Sequence, residues 1–175
     1  RAVIPPFVAI LAVAVTFILV LFVGAIFVIL FGYALALVLS ELLIMAVPLG
    51  YMVYKKIDIG DYIGLDLKPL KILSGIAFGG FIFLFDVLVS ALLFVVFGPS
   101  NVVEETNRLI LDISASPDGL FLVIAALSLA GICEEFTFRG FLQTSINSKY
   151  SSLIALLVSS LAFGFFHFDP QAVYT

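Results

Sequence analysis

Two carboxylates and one guanidinium lie within six residues of each other in the segment EEFTFRG. Glu134 and Glu135 directly follow the apolar run LFLVIAALSLAGIC, and Arg139 comes four residues after Glu135. Charged side chains are costly in apolar surroundings and usually mark a functional site there. On a helix, Glu135 and Arg139 are spaced i, i+4 and face one another, whereas Glu134 points about 100° away. The pattern predicts an ion pair beside a separate carboxylate that can act as a general base.

The only histidine of the chain, His167, is the predicted partner of that carboxylate. Glu134 lies 16 residues before Tyr150, and His167 lies 16 residues after Ser151, with the polar turn NSKYSS between the two segments. In an antiparallel helix pair, residues equidistant from the turn lie at the same depth. A carboxylate and an imidazole that share a water in a low-dielectric pocket would form a general-base site. Two alternatives stay open: a solvated cytoplasmic helix end for the acidic segment, and a merely interfacial histidine.

The composition identifies the environment of these residues. Hydrophobic residues make up 63% of the 175 residues and charged residues 11%, with a mean hydropathy of +1.30, against roughly 25% charged residues in an average soluble domain. The chain is therefore interpreted as an integral membrane protein that contacts the lipid bilayer. No basic tract suggests a nucleic-acid partner. The single cysteine, Cys133, is expected to pack in the interior.

The positioning elements are predicted to form an all-α, polytopic transmembrane bundle of about five spans. The stretch from Pro6 to Tyr54 is too long for one crossing of about 20 residues, so two helices with a tight connection at Phe31–Ala34 are expected. A third span is predicted over Ile72–Phe97, a fourth from Pro117 to about Asn147, and a fifth over Ser151–His167. Ser116, Pro117 and Asp118 form a typical helix start. Both ends look cut, so residues 1–175 are interpreted as one transmembrane domain, a fragment of a larger bundle whose core hairpin is 117–168.

The loops predict the orientation. The Lys55–Lys71 loop carries four lysines, whereas the polar loop at Asn101–Ser116 holds one arginine. The positive-inside rule then places the Lys55–Lys71 loop and the N-terminus in the cytoplasm. The lysines of this loop and the carboxylates between Glu104 and Asp118 are interpreted as solvated.

At this point the residues resemble a known family. The segment EEFTFRGFLQ is similar to the Glu-Glu-x-x-x-Arg motif of the CPBP intramembrane proteases, which include the Rce1-type CAAX prenyl endopeptidases and the bacteriocin-immunity (Abi) proteins. The fuller form of that motif, Glu-Glu-x-x-Phe-Arg-Gly-x-Leu, is matched by Glu134, Glu135, Phe138, Arg139, Gly140 and Leu142. A second family motif, Phe-x-x-x-His, is matched by Phe163 and His167 on the next helix. The resemblance covers about Pro117 to Phe168.

The resemblance implies hydrolysis of a peptide bond within the membrane by a glutamate-activated water. Glu134 would deprotonate the water and His167 would help to hold it. Glu135 and Arg139 would brace the site as a pair, and Gly140 would allow close helix approach. The implied partner is a peptide or a lipidated protein at the membrane, and the implied location is a prokaryotic plasma membrane.

Phe163, one turn before His167 on the same face, would pack against the ring of His167, with lipid-facing packing as a nearly equal alternative. In one respect the chain departs from the family, whose members carry a later helix with a second His and an Asn that form an oxyanion hole. This chain has no second histidine, and Asn101, Asn107 and Asn147 lie in loops or near a turn. We expect those helices beyond Thr175; without them the chain by itself would be inactive, because each lost donor costs on the order of 10²–10³ in turnover.

No cofactor is predicted. Catalytic zinc usually takes three protein ligands, whereas one histidine and two diverging glutamates make a thin ligand set, so a metal-free site is favoured over a zinc site. The motifs of zincins, rhomboids and presenilin-type proteases are absent from the sequence.

Two further acids lie within apolar spans, Glu41 in VLSELLIMA and Asp86 in FLFDVLVS. Each is interpreted as protonated or hydrogen-bonded to a neighbouring helix. The alternative is that one of them lines the substrate cavity or adds to the polar network around Arg139. Two other functions also stay open. One is a non-catalytic scaffold, immunity or sorting protein on the same fold, and the other is a transporter whose buried acids relay protons.

Overall fold

The computed structural model describes residues 3–98 and 101–166, and these form helices joined by short connections. In chain order the helices are α1 (Pro6–Tyr54), α2 (Ile59–Ile63), α3 (Pro69–Phe97), α4 (Asn101–Ser114), α5 (Pro117–Glu134), a π-helical segment (Glu135–Gln143), α6 (Thr144–Asn147) and α7 (Ser152–Phe166). The predicted all-α membrane bundle is confirmed.

α1 is a hairpin of two arms, 6–31 and 33–54, that turns at Gly32. This residue has φ 76° and ψ 168°, a backbone conformation that residues with a side chain rarely adopt. Eight residues from the turn on either side, Gly24 and Ser40 face each other, since a Cβ on Gly24 would lie 3.3 Å from Ser40 Oγ. The arms therefore run antiparallel and in close contact, as the predicted connection at Phe31–Ala34 requires.

The helix that carries the acidic motif runs without a break from Pro117 to Asn147, as α5, the π-helical segment and α6. Its start matches the prediction, because Ser116 Oγ accepts a hydrogen bond of 3.1 Å from the Gly119 amide and Pro117 occupies the first turn. The hydroxyl caps one of the amides that a helix start leaves without an internal acceptor. At the other end, Ser145 Oγ donates 2.7 Å to the carbonyl of Ile4, which fastens the residues just before α1 to α6.

The buried core lies where both arms of α1, α2, the π-helical segment, α6 and α7 meet. Its largest fully buried apolar side chains are Ile4, Met52, Phe141 and Leu142. The rest of the helical surface is largely apolar and exposed, above all on α3, whose described side chains are almost all exposed. Such a surface suits lipid rather than water.

Within residues 3–98 and 101–166, three helices are long and apolar enough to cross a bilayer, Pro6–Tyr54, Pro69–Val96 and Pro117–Asn147. The first supplies two crossings because it folds back at Gly32, and α7 is a shorter apolar helix of 15 residues. The chain is an integral membrane protein. Ile4, the Lys55–Lys71 connection and the turn before α7 lie at one end of the bundle, since Ile4 contacts α6 and Ile63 of α2 contacts Gly140.

Two stretches interpreted as loops contain helices. The segment after α3 is expected from the sequence to be a polar loop, but it is the 14-residue helix α4. This helix carries charged residues together with the apolar residues Leu109, Ile110 and Ile113. The Lys55–Lys71 stretch contains α2, and its Tyr62 is buried at 4% exposure rather than solvated. In both stretches the many charged residues drew attention away from apolar residues. These apolar residues pack in the core or form one face of a helix.

Candidate active site

The acidic motif forms a π-helix. Residues Glu135–Gln143 adopt this wider form, in which backbone hydrogen bonds reach from residue i to i+5. Such segments are rare, and they occur frequently at functional sites. Side-chain hydroxyls bond to its carbonyl oxygens: Thr144 Oγ1 donates 3.3 Å to Arg139 O, and Tyr62 Oη donates 3.4 Å to Phe141 O. The predicted fourth helix is thus present, but the part that carries the acidic motif is wound differently.

A proline in α1 explains how the π-helical segment is held. Pro48 lies inside α1 and has no backbone N–H, so the carbonyl of Ile44, four residues earlier, loses its helical donor. Thr137, which is fully buried, donates its hydroxyl to that Ile44 oxygen over 3.1 Å. A buried carbonyl without a donor costs free energy, so this bond both satisfies α1 and fixes its depth against the motif.

One turn before this bond lie the acids Glu41 and Glu134, one on each helix. Both are half-buried, and Cys133, which directly precedes Glu134, is fully buried. Glu41 Oε2 is shielded from solvent and has no hydrogen-bond partner among the described residues. Cys133 packs in the interior, as expected. The bond between Thr137 and Ile44 therefore places Glu41 and Glu134 at the same level on neighbouring helices, and the interpretation of Glu41 as protonated or hydrogen-bonded to a neighbouring helix stays a prediction.

Glu135 and Arg139 form the predicted ion pair. Their side chains are 56% and 63% exposed, so the pair lies at a surface rather than in the interior. With Ile63, Ile132, Phe136 and Gly140, it lines an open groove of about 430 Å³ beside α2. The groove places a charged pair against apolar walls, next to the helix face that carries Glu134.

Gly140 allows the close helix approach that was expected of it. A Cβ there would lie 3.1 Å from Ile63 Cγ2, so α2 rests directly on the backbone of the π-helical segment. Beside this contact, burial raises the pKa of the Tyr62 phenol to about 12, which keeps the phenol protonated as a donor to Phe141 O. The short helix α2 thus acts as a clamp on the motif.

α7 packs antiparallel to the helix that carries the motif, in the predicted register. Phe138 and Phe163 are equidistant from the turn at 150–151, and their rings meet edge to face at 5.3 Å between centroids. Phe166 meets Phe138 in the same manner at 5.0 Å and Phe17 of α1 at 5.1 Å. Edge-to-face pairs of this kind stabilise packing beyond the area they bury. The half-buried Phe163 thus packs against Phe138, whereas its predicted contact with His167 stays a prediction.

Two of the predicted site residues lie outside this description. His167 follows the last described residue of α7, and the side chain of Asp86 on α3 is likewise outside the described part. Among residues 3–98 and 101–166, no three His, Cys, Asp or Glu side chains are grouped so that they could hold a metal ion. The described residues thus do not fit a zinc site, and the predicted absence of a cofactor stays a prediction.

Thr137, Pro48 and Tyr62 were not singled out from the sequence. Thr137 stands inside the motif at a position where the family resemblance specifies no residue type, and its role depends on a carbonyl 93 residues away. The one available signal was Pro48 inside an apolar helix, because a helical proline predicts an orphaned carbonyl four residues earlier. Tyr62 carried no signal, since it stands between charged residues.

The comparison with protein families agrees with this site. Residues 116–175 match the model of the Rce1-like family, described as type II CAAX prenyl endopeptidase Rce1-like. No match was found among curated proteins or among solved structures. The matched segment contains the capped helix start at Ser116, the whole acidic motif and α7. The resemblance of this chain to the Rce1-type proteins is thus confirmed over residues 116–175.

Proposed function

We propose that the protein is an intramembrane endopeptidase that cleaves a peptide bond of a membrane-associated substrate with a water activated by Glu134. The family match supports a CAAX-type protease, which makes a prenylated protein a candidate substrate. We further propose a prokaryotic plasma membrane as its location, with the Lys55–Lys71 loop placed in the cytoplasm by the positive-inside rule.

The contact between Phe138 and Phe163 is the observation that carries the proposal. It supports the antiparallel register that was predicted from the turn, and Ser159 Oγ donates 3.3 Å to Gln143 Oε1 nearer the same turn. Continuing this register along α7 predicts that residue 167 reaches the level of residue 134. His167 would then hold the water that faces Glu134.

In the proposed reaction Glu134 takes a proton from this water while the water oxygen attacks the carbonyl carbon of the scissile bond. The proton then passes from Glu134 to the leaving nitrogen as the C–N bond breaks. No covalent intermediate with the protein is needed. Thr137 and Gly140 serve this step indirectly, because they hold the helix of Glu134 against α1 and α2.

The test is cleavage of a membrane-anchored peptide by the protein in liposomes, read by mass spectrometry. Glu134→Gln keeps the size of the side chain but removes the base, and we expect a loss of about 10²–10⁴-fold in turnover. Glu104→Gln on the exposed face of α4 is the matched control and should cleave normally. Undiminished cleavage by a folded Glu134→Gln protein would refute the proposal, and absence of cleavage in every variant would favour a scaffold.

A further inference from the structure

Glu41 and Glu134 occupy equivalent positions on two helices that run in the same direction. Ile44 and Thr137 are joined by a hydrogen bond, and each acid lies three residues before its member of that pair. Three residues make nearly one helical turn, so a bond between Ile44 and Thr137 brings the preceding turns together as well. This register places the two carboxyl groups within range of electrostatic interaction.

Two carboxylates that share a site away from bulk water cannot both ionise readily. The other titratable group that faces Glu41 from α5 is Cys133, which is fully buried and brings no positive charge. Arg139 is engaged with Glu135 at the exposed groove, and His167 lies outside the described residues.

The environment of Glu41 Oε2 indicates that Glu41 is the protonated member of the pair. The atom is shielded from solvent and lacks a hydrogen-bond partner among the residues described here. A buried oxygen of a charged carboxylate would pay a large desolvation cost in that position. A protonated carboxyl instead carries a hydrogen that can be donated to a neighbouring carboxylate.

We propose that Glu41 is a positioning residue for Glu134. In its neutral form it donates a hydrogen bond through one water to the Glu134 carboxylate, and so holds that carboxylate ionised and aimed at the substrate water. Glu41 keeps its proton throughout, and Glu134 alone receives the proton of the water. The inference rests on the proposed role of Glu134 as the base and assigns that base a partner on α1.

The pair itself is tested without any activity, by infrared spectroscopy of the purified protein in lipid nanodiscs. A protonated carboxylic acid has its own carbonyl stretching band. We expect a band that disappears in Glu41→Gln, shifts in Glu134→Gln and persists in the surface control Glu104→Gln. A spectrum that Glu41→Gln leaves unchanged would overturn the proposal, even if the enzyme is active.

The consequence for catalysis is tested by the pH dependence of cleavage. Glu41→Gln retains a neutral donor, so its turnover and the acidic limb of its pH profile should stay close to those of the wild type. Glu41→Ala loses the donor, and turnover should fall by about 10- to 100-fold, the effect of one hydrogen bond to a charged group. Because the bond favours ionised Glu134, its loss should also move the acidic limb to higher pH.

The two variants separate positioning from plain packing. Equal losses in Glu41→Gln and Glu41→Ala with an unshifted acidic limb would show a structural role only and refute the proposal, as would full activity of Glu41→Ala. If Glu134→Gln cleaves normally, the proposed function fails. The infrared bands then still decide whether Glu41 is protonated and interacts with Glu134.

Discussion

The Thr137 hydroxyl donates a 3.1 Å hydrogen bond to the Ile44 carbonyl, the oxygen that Pro48 leaves without a helical donor. The three residues lie on two helices that are far apart in sequence, and all of this contact is buried. The bond therefore works as a register pin: it fixes the depth of the second arm of α1 against the π-helical segment. The same bond sets the relative level of Glu41 and Glu134, which lie about one turn earlier on the two helices.

Removal of the Thr137 hydroxyl should destabilise the protein. Thr137→Val keeps the shape of the side chain but leaves the buried Ile44 carbonyl without a donor, which costs about 1–3 kcal/mol. Thr137→Ser keeps the hydroxyl and should lose less. Thermal unfolding in the same detergent measures both, and equal stability of the Val and Ser variants would show that the hydrogen bond contributes nothing.

The same prediction has an internal rescue. Pro48→Ala returns a backbone N–H that can bond to the Ile44 carbonyl within α1. In this background Thr137→Val should cost clearly less than it does in the wild type, because the carbonyl is already satisfied. A double-mutant cycle gives the coupling energy, and additive effects would contradict the link between Pro48 and Thr137.

The ring contact of Phe163 should matter for activity more than for folding. Phe163→Leu removes the edge-to-face contact with Phe138, and we expect a loss of about tenfold or more in cleavage through the altered aim of α7. Phe165 is 70% exposed on the same helix, so Phe165→Leu is the matched control and should cleave normally. Equal activity of the two variants would remove the support that this contact gives to the site.

The sequence predicted what local patterns control. The hairpin turn near Gly32 and the helix start at Ser116 depend on neighbouring residues, and both were confirmed. The ion pair of Glu135 and Arg139 followed from helical spacing alone, although its exposure did not. The depth match of the two helices followed from counting outward from the polar turn, and the contact of Phe138 with Phe163 agrees with it.

What the sequence could not predict depends on contacts between distant segments. The π-helical winding follows from how its carbonyls and hydroxyls are satisfied by α1 and α2, and no spacing rule encodes it. The approach of Glu41 to Glu134 needs the register that Thr137 sets. The sequence of α4 is interpreted as a loop because it contains many charged residues. Its apolar residues nevertheless recur with the helical period.

Neutralising one member of the Glu135–Arg139 pair should lower the free energy of unfolding more than neutralising both members. Each single variant, Glu135→Gln or Arg139→Gln, leaves one charge without its partner, whereas the double variant leaves none. Because the pair is more than half exposed, we expect a coupling energy of only about 0.5–1 kcal/mol. The measurement is a double-mutant cycle on thermal unfolding in nanodiscs.

The control for this cycle is the surface pair of Lys68 and Asp66, in which Lys68 Nζ lies 3.8 Å from Asp66 Oδ2. Neutralising these two side chains should give a coupling energy near zero, because long exposed pairs contribute little. If the pair of Glu135 and Arg139 couples no more strongly than this control, it does not brace the motif.

The contact between Gly140 and Ile63 gives a size-exchange prediction. Even a Cβ at position 140 would approach Ile63 Cγ2 to 3.1 Å, so the branched side chain of Gly140→Val should push α2 away and cost about 1–3 kcal/mol. Ile63→Ala makes space and should restore much of the lost stability when both changes are combined. Gly131→Val is the matched control, since no atom lies within 4 Å of a Cβ built there. If the double variant is no more stable than Gly140→Val alone, or if Gly131→Val is equally destabilised, then α2 does not clamp the motif through this contact.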